Sequence, residues 1–308
     1  MENDDFLQYE IWKDCKNGCK FCTNFKQKDI DKISSLKYIL TDLDLRKNDK
    51  IADIGFIGGE FFDDQLNNQE VRMLFYQLFD WCEQKLKNNT LKRVFITSCL
   101  IFDIQNTLIP FLNYLRDKNI LDKVMLCTSY DIKYRFYTEK RKKLWEDNML
   151  FLHEYYPELK IHTQTIMTQF FIDAVLNNEF DIKAFCEKYH TFIDYNEPQS
   201  GFFYDKQGMY KAIPDFFPTK ESFSKFLLKT VIQDRVINPS TFLIRDLHCS
   251  ELDYIYDGER KKLFNRRNKE NYYLTPGQKN SNELGFIDSD IKMADLAQEI
   301  LESFGEFE

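Results

Sequence analysis

Cys15, Cys19 and Cys22 stand in the segment CKNGCKFC with the spacing C-x3-C-x2-C, so three of the chain's eight cysteines fall within eight residues. Three thiolates on one tight loop suit three corners of a cuboidal 4Fe-4S cluster and leave one iron open to another ligand. Gly18 permits the sharp turn this requires. Phe21 is placed to cover one cluster face and limit solvent, which tunes a cluster's potential. Two other chemistries compete for the same residues. Structural zinc wants four protein ligands, and the fourth has to come from afar, because the histidines are His153, His162, His190 and His248. A redox dithiol made of Cys19 and Cys22 leaves Cys15 without a role.

A cysteine loop must be carried by a frame, and the pattern around it is regular. Short β-type runs at 6–13, 51–57, 93–98, 123–129, 160–167 and 191–196 alternate with helical spacing over about 34–46, 68–88, 107–118 and 138–155, and with helical material to about 190. The segment 68–88 is strongly amphipathic, with Val71, Leu74, Phe75, Leu78, Phe79, Cys82 and Leu86 on one side. Strand–helix alternation predicts parallel strands with crossover helices, six units of which suit an open barrel or a doubly wound sheet, and in such folds chemistry collects at the C-terminal strand ends. Polar residues stand at each exit. The cysteine loop follows strand one and Gly58-Gly59-Glu60 follows strand two. Thr97 and Ser98 end strand three, Ser129 and Asp131 end strand four, and Asn196 and Glu197 end strand six; Gln164 and Thr165 lie in strand five.

The chain has 308 residues, 43% hydrophobic and 30% charged, enough for a sizeable core under a well-solvated surface. A net charge of −8 argues against a general nucleic-acid-binding face. No apolar run approaches the roughly 20 residues that span a bilayer, and the N-terminus MENDDFLQYE lacks the apolar stretch of a signal peptide. The expected location is cytoplasmic. In that compartment eight cysteines are not a disulfide framework. Cys82, Cys99, Cys127, Cys186 and Cys249 are scattered and read as small core hydrophobes.

The segment CKNGCKFC resembles the signature loop of the radical S-adenosylmethionine (SAM) superfamily, including the aromatic residue before the last cysteine. The GGE after strand two is similar to that family's second motif. The pairing of the two in strand order is far more specific than either alone. The resemblance covers roughly residues 6–200 and implies a partial (β/α)6 TIM-like barrel, with an α+β extension over 201–308. It implies that Cys15, Cys19 and Cys22 hold a 4Fe-4S cluster, with Phe21 against it. The open iron then chelates SAM, and Gly58, Gly59 and Glu60 meet the SAM amino group. Ser129 and Asp131, in TSYDIKYRF with Arg135, resemble a Ser-x-Asp that lies near the SAM ribose or carboxylate, although a strand-ending Asx or Ser turn explains them equally well. Phe61 departs from the family, where many members carry proline after GGE. The implied chemistry is reductive cleavage of the SAM C–S bond and hydrogen abstraction by the resulting 5′-deoxyadenosyl radical, fed by an external one-electron donor of flavodoxin or ferredoxin type.

The substrate expected from the motif pattern and the acidic charge is a peptide or protein side chain. A nucleotide or nucleic acid is the alternative, motivated by Arg260, Lys261, Lys262, Arg266 and Arg267. A non-enzymatic, zinc-stabilised barrel that binds a partner is a third reading. The run Lys140–Lys143 reads as a solvated helix face. His248 beside Cys249 reads as a structural pair, and with no C-terminal cysteine-rich stretch a single cluster is expected. The segment after 200 is expected to cover the barrel opening, and a last helix is expected from Ser289 to Phe304.

Overall fold

The computed structural model describes residues 5–12, 14–19, 22, 31–49, 51–196, 202–204, 210–212, 216, 218–237, 252–257, 262–264 and 300–303. Six strand–helix units run in order. They are β1 (Asp5–Glu10), α1 (Lys32–Leu45), β2 (Ile51–Ile57), α2 (Gln69–Lys87), β3 (Arg93–Thr97), α3 (Leu108–Asp117), β4 (Val124–Ser129), α4 (Glu139–Tyr155), β5 (Lys160–Ile166), the pair α5 (Gln169–Leu176) and α6 (Ile182–Tyr189), and β6 (Phe192–Asn196). All six strands are parallel and adjacent in sequence order. A doubly wound sheet would start in its middle and reverse. Right-handed crossovers that keep stepping one way put every helix on the same face, which is the partial (β/α)6 arrangement.

Burial separates the two faces of the sheet. In β5, Ile161, Thr163 and Thr165 are buried while His162, Gln164 and Ile166 are half-buried, the period of two that a strand imposes. The buried set faces the helices: Trp145 of α4 donates its indole N–H to Thr128 Oγ1 at 3.0 Å. On the helix side Phe56, Phe62, Phe75, Phe79 and Phe111 form one aromatic cluster with centroid separations of 4.7–5.9 Å. The opposite face carries Thr97, Ser129, His162, Gln164 and Asp194 and is the more polar and more open one.

The helical stretch expected up to 190 is two helices. Asn178 takes a left-handed φ of +59° after α5, and Asp181 caps α6 by accepting from Ala184 N at 2.9 Å. Asparagine tolerates that conformation and aspartate is a strong N-cap.

Beyond residue 200, β7 (Phe202–Tyr204) and β8 (Tyr210–Ala212) form a separate hairpin. Then α7 (Lys220–Leu227), continued by a π-helical turn over Leu228–Gln233, buries Phe223, Phe226, Leu227 and Val231 in the main core. β9 (Leu252–Asp257) pairs parallel with β1, and β10 (Lys262–Phe264) pairs antiparallel with β9. Part of the C-terminal segment therefore extends the sheet along its β1 edge and shares its core. Residues 300–303 are helical, and the rest of the helix expected from Ser289 lies outside the described residues, as do Cys249, His248, Arg260, Lys261, Arg266 and Arg267.

The aromatic cluster supplies a direct test of this packing. Phe75→Ala is expected to lower unfolding free energy by about 4 kcal/mol. Met73→Ala, two residues along the same helix and 55% exposed, is expected to change it by less than about 0.5 kcal/mol. Urea denaturation of both variants measures the contrast.

Candidate functional site

The β1–β2 ladder does not stop where the strands end. Ile11 N donates to Ile57 O at 2.9 Å, Gly59 N to Trp12 O at 2.6 Å and Glu60 N to Asp14 O at 3.1 Å. The Trp12 indole N–H donates to Glu60 O at 3.3 Å. This backbone zipper carries the chain after β1 alongside the GGE turn and delivers Cys15 to the mouth of the sheet. Only glycine fits at Gly58: φ is +148°, and a Cβ there would lie 2.0 Å from the Trp12 carbonyl oxygen.

Glu60 ties the same turn to the next strand. Its carboxylate is 1% exposed. It accepts from Phe62 N at 3.0 Å, from Ser98 Oγ at 3.1 and 3.2 Å, and from Cys99 N at 2.6 Å. Burial raises its pKa, and the Cys99 and Phe62 donors oppose the rise. The carboxylate therefore pins the exits of β2 and β3 together.

Within the loop, Cys22 N donates to Cys19 O at 3.0 Å, and Gly18 holds a left-handed φ of +58° with open space around it. Cys19 is buried, and Cys15 and Cys22 are half-buried. Burial pushes the Cys15 thiol up to about 11; the Asn17 N–H opposes the rise, and the nearby Glu60 charge adds to it. Metal binding here must therefore expel a proton. Among the described residues, no three His, Cys, Asp or Glu side chains converge on the position of a single ion. A cuboidal cluster spreads its ligands over separate irons and does not need that convergence.

Several neighbours of the loop are not evident from the sequence. Cys99, one of the scattered cysteines, ends up beside it: its Sγ accepts from Asn17 Nδ2 at 2.8 Å and from Ile101 N at 3.4 Å. A fourth cysteine thus stands beside the loop. Arg135 lies where its guanidinium feels Cys19, Cys99, Asp131 and Cys22; burial works against its charge, and these groups hold its pKa above the ordinary value. A cationic group among thiols favours their ionised forms. Arg141 belongs to the run expected to be a solvated helix face, yet it reaches the loop and donates to Asn17 O at 3.1 Å and Asn17 Oδ1 at 2.9 Å. No periodicity signals any of these placements, because each depends on how strand exits are juxtaposed.

The strand-four motif divides. The buried Asp131 carboxylate accepts from Lys133 N at 3.2 Å and Tyr134 N at 2.6 Å, closing a turn in the manner of an Asx residue. Ser129 stays half-buried on the open face. The Thr97 hydroxyl, at the β3 exit on that face, is buried with no hydrogen-bond partner among the described residues; a buried polar atom of this kind is suited to a bound ligand. Phe21 lies outside the described residues.

No family model matches the chain, and no curated protein matches it significantly. Among solved structures it is similar to native anSMEcpe with bound AdoMet and Cp18Cys peptide, at 15% identity and a TM-score of 0.46, over 82% of this chain and 63% of that one. It is also similar to SuiB of Streptococcus suis, at 14% identity and a TM-score of 0.48, over 76% of this chain and 47% of that one. The chain thus spans less than two thirds of the length of either protein.

The two loop glycines are expected to respond differently. Gly58→Ala meets both a backbone collision and a φ open essentially to glycine alone, and should cost about 3 kcal/mol or more. Gly18→Ala meets only the left-handed penalty of about 1 kcal/mol. Thermal or urea unfolding of the metal-free protein separates the two; equal losses would contradict the Trp12–Gly58 crossing.

Proposed function

We propose that this chain is a radical SAM enzyme whose 4Fe-4S cluster is held by Cys15, Cys19 and Cys22. The observation that carries the reading is the backbone zipper that sets this three-cysteine loop against the GGE turn at the exits of parallel strands. The surroundings fit the group. Thiolates need a compensating charge, and Arg135 supplies it to Cys19 and Cys22. When bound, the cluster and SAM together supply reductive cleavage of a C–S bond and a 5′-deoxyadenosyl radical that takes hydrogen from a substrate.

The chain's own residues have separable tasks. Gly58 and Gly59 let the backbone approach closely, and Glu60 holds the turn that offers SAM its amino-group partners. Thr97 and Ser129 present hydroxyls on the open face for the remainder of SAM. Asp131 acts on SAM through the turn it closes and through Arg135. A substrate laid on the open face meets His162, Gln164 and Asp194, and its position there decides which hydrogen is lost. The substrate class we favour is a peptide or protein side chain, on the motif pattern and the acidic charge. Electrons come from an external flavodoxin- or ferredoxin-type donor. The segment after 200, whose β9 already flanks β1, completes the cavity wall.

Anaerobic reconstitution is expected to yield about four irons and four sulfides per chain. Cys15→Ala, Cys19→Ala and Cys22→Ala should each abolish the charge-transfer absorption. Cys82→Ala, in the α2 core face, should retain it. Stoichiometric zinc without sulfide would overturn the proposal, as would a cluster that needs Cys82 but tolerates loss of one loop cysteine.

A further inference from the structure

Asn17 is the anomaly of the cysteine loop. Its neighbours Lys16 and Gly18 are exposed, yet Asn17 is only 4% exposed. A buried amide must find partners for its donors and its oxygen, and apart from Cys15 those found here lie outside the loop. Nδ2 donates to Cys99 Sγ at 2.8 Å and reaches Cys15 Sγ at 3.6 Å; the backbone N–H points at Cys15 Sγ from 3.5 Å. Oδ1 accepts from Arg141 at 2.9 Å, and the backbone oxygen accepts from Arg141 at 3.1 Å and the Tyr137 hydroxyl at 3.3 Å. Arg141 is itself fixed, with its guanidinium 4.4 Å over the Tyr137 ring and its Nε donating to Arg135 O at 3.4 Å. One side chain therefore joins the loop to the β3 exit and to the first turn of α4.

We propose that Asn17 and Arg141 form a positioning latch for the cluster: Arg141 orients the Asn17 amide, and the amide directs N–H groups at the Cys15 and Cys99 sulfurs. This deepens the function proposed above and rests on it. Two consequences follow from the geometry. Losing the latch frees the loop, so the cluster leaves more readily. Losing the N–H donors removes stabilisation of negative charge on Cys15 sulfur, which disfavours the reduced, more negative state and moves the midpoint potential downward.

The test uses the full-length reconstituted protein, with Asn17→Ala, Arg141→Met and, as a charge-matched control, Lys140→Met at an exposed neighbouring position. Iron release to a chelator should be about tenfold or more faster in the first two variants. Their midpoint, from EPR-monitored redox titration, should lie below that of wild type. Lys140→Met should behave as wild type in both measurements. Arg141→Met alters a half-exposed residue at the start of a helix and keeps the test available if Asn17→Ala does not fold. A wild-type cluster with release rates and midpoints unchanged in both latch variants overturns the latch alone. A wild-type protein that takes up no cluster overturns the functional reading and the latch with it.

Discussion

The buried Glu60 carboxylate is the interaction on which the rest of the site depends. Its backbone closes the zipper to Asp14, and its side chain gathers donors from Phe62, Ser98 and Cys99. Burying a carboxylate is costly unless hydrogen bonds compensate. Three donors here engage both carboxylate oxygens, with the Ser98 hydroxyl within reach of each. The same residue therefore fixes three chain segments that are distant in sequence: the loop after β1, the turn after β2 and the exit of β3. Removing the β3 exit would leave the buried carboxylate with the Phe62 N–H as its one remaining donor among those named.

The topology explains why those segments meet at all. Parallel strands in sequence order put every C-terminal end on one rim, so each connection after a strand contributes to one surface. Helices stacked on one face consume the apolar half of each strand and leave the polar half facing the other way. The proposed binding at the rim and the proposed substrate contact on the open face both rest on this one arrangement. β9 adds a further parallel strand beside β1, on the side away from β2, and so broadens the sheet next to the cysteine loop.

Much of this frame is legible in the sequence. The six strands and most helices fall within a few residues of where periodicity puts them, because apolar alternation is a local property. The helical material expected after β5 is two helices, parted where Asn178 takes its left-handed φ of +59°. The return of β9 to β1 is not legible, since pairing across more than two hundred residues leaves no local trace. The same holds for Cys99, whose sequence context is that of an ordinary core cysteine, and for Arg141, whose basic neighbours suggest a solvated face. Asp131 shows the converse: the residue pattern allowed a ligand contact or a turn, and its Oδ1 accepts the backbone N–H groups of Lys133 and Tyr134 as the turn requires.

If this rim cleaves SAM reductively, as proposed, the products are measurable without knowledge of the substrate. Reconstituted protein, SAM and a strong one-electron reductant are incubated anaerobically, and 5′-deoxyadenosine and methionine are quantified by liquid chromatography. Both products are expected in equal amounts, with none when reductant or iron is omitted. Intact SAM after prolonged incubation of a fully iron-loaded, reduced protein would contradict the proposed cleavage.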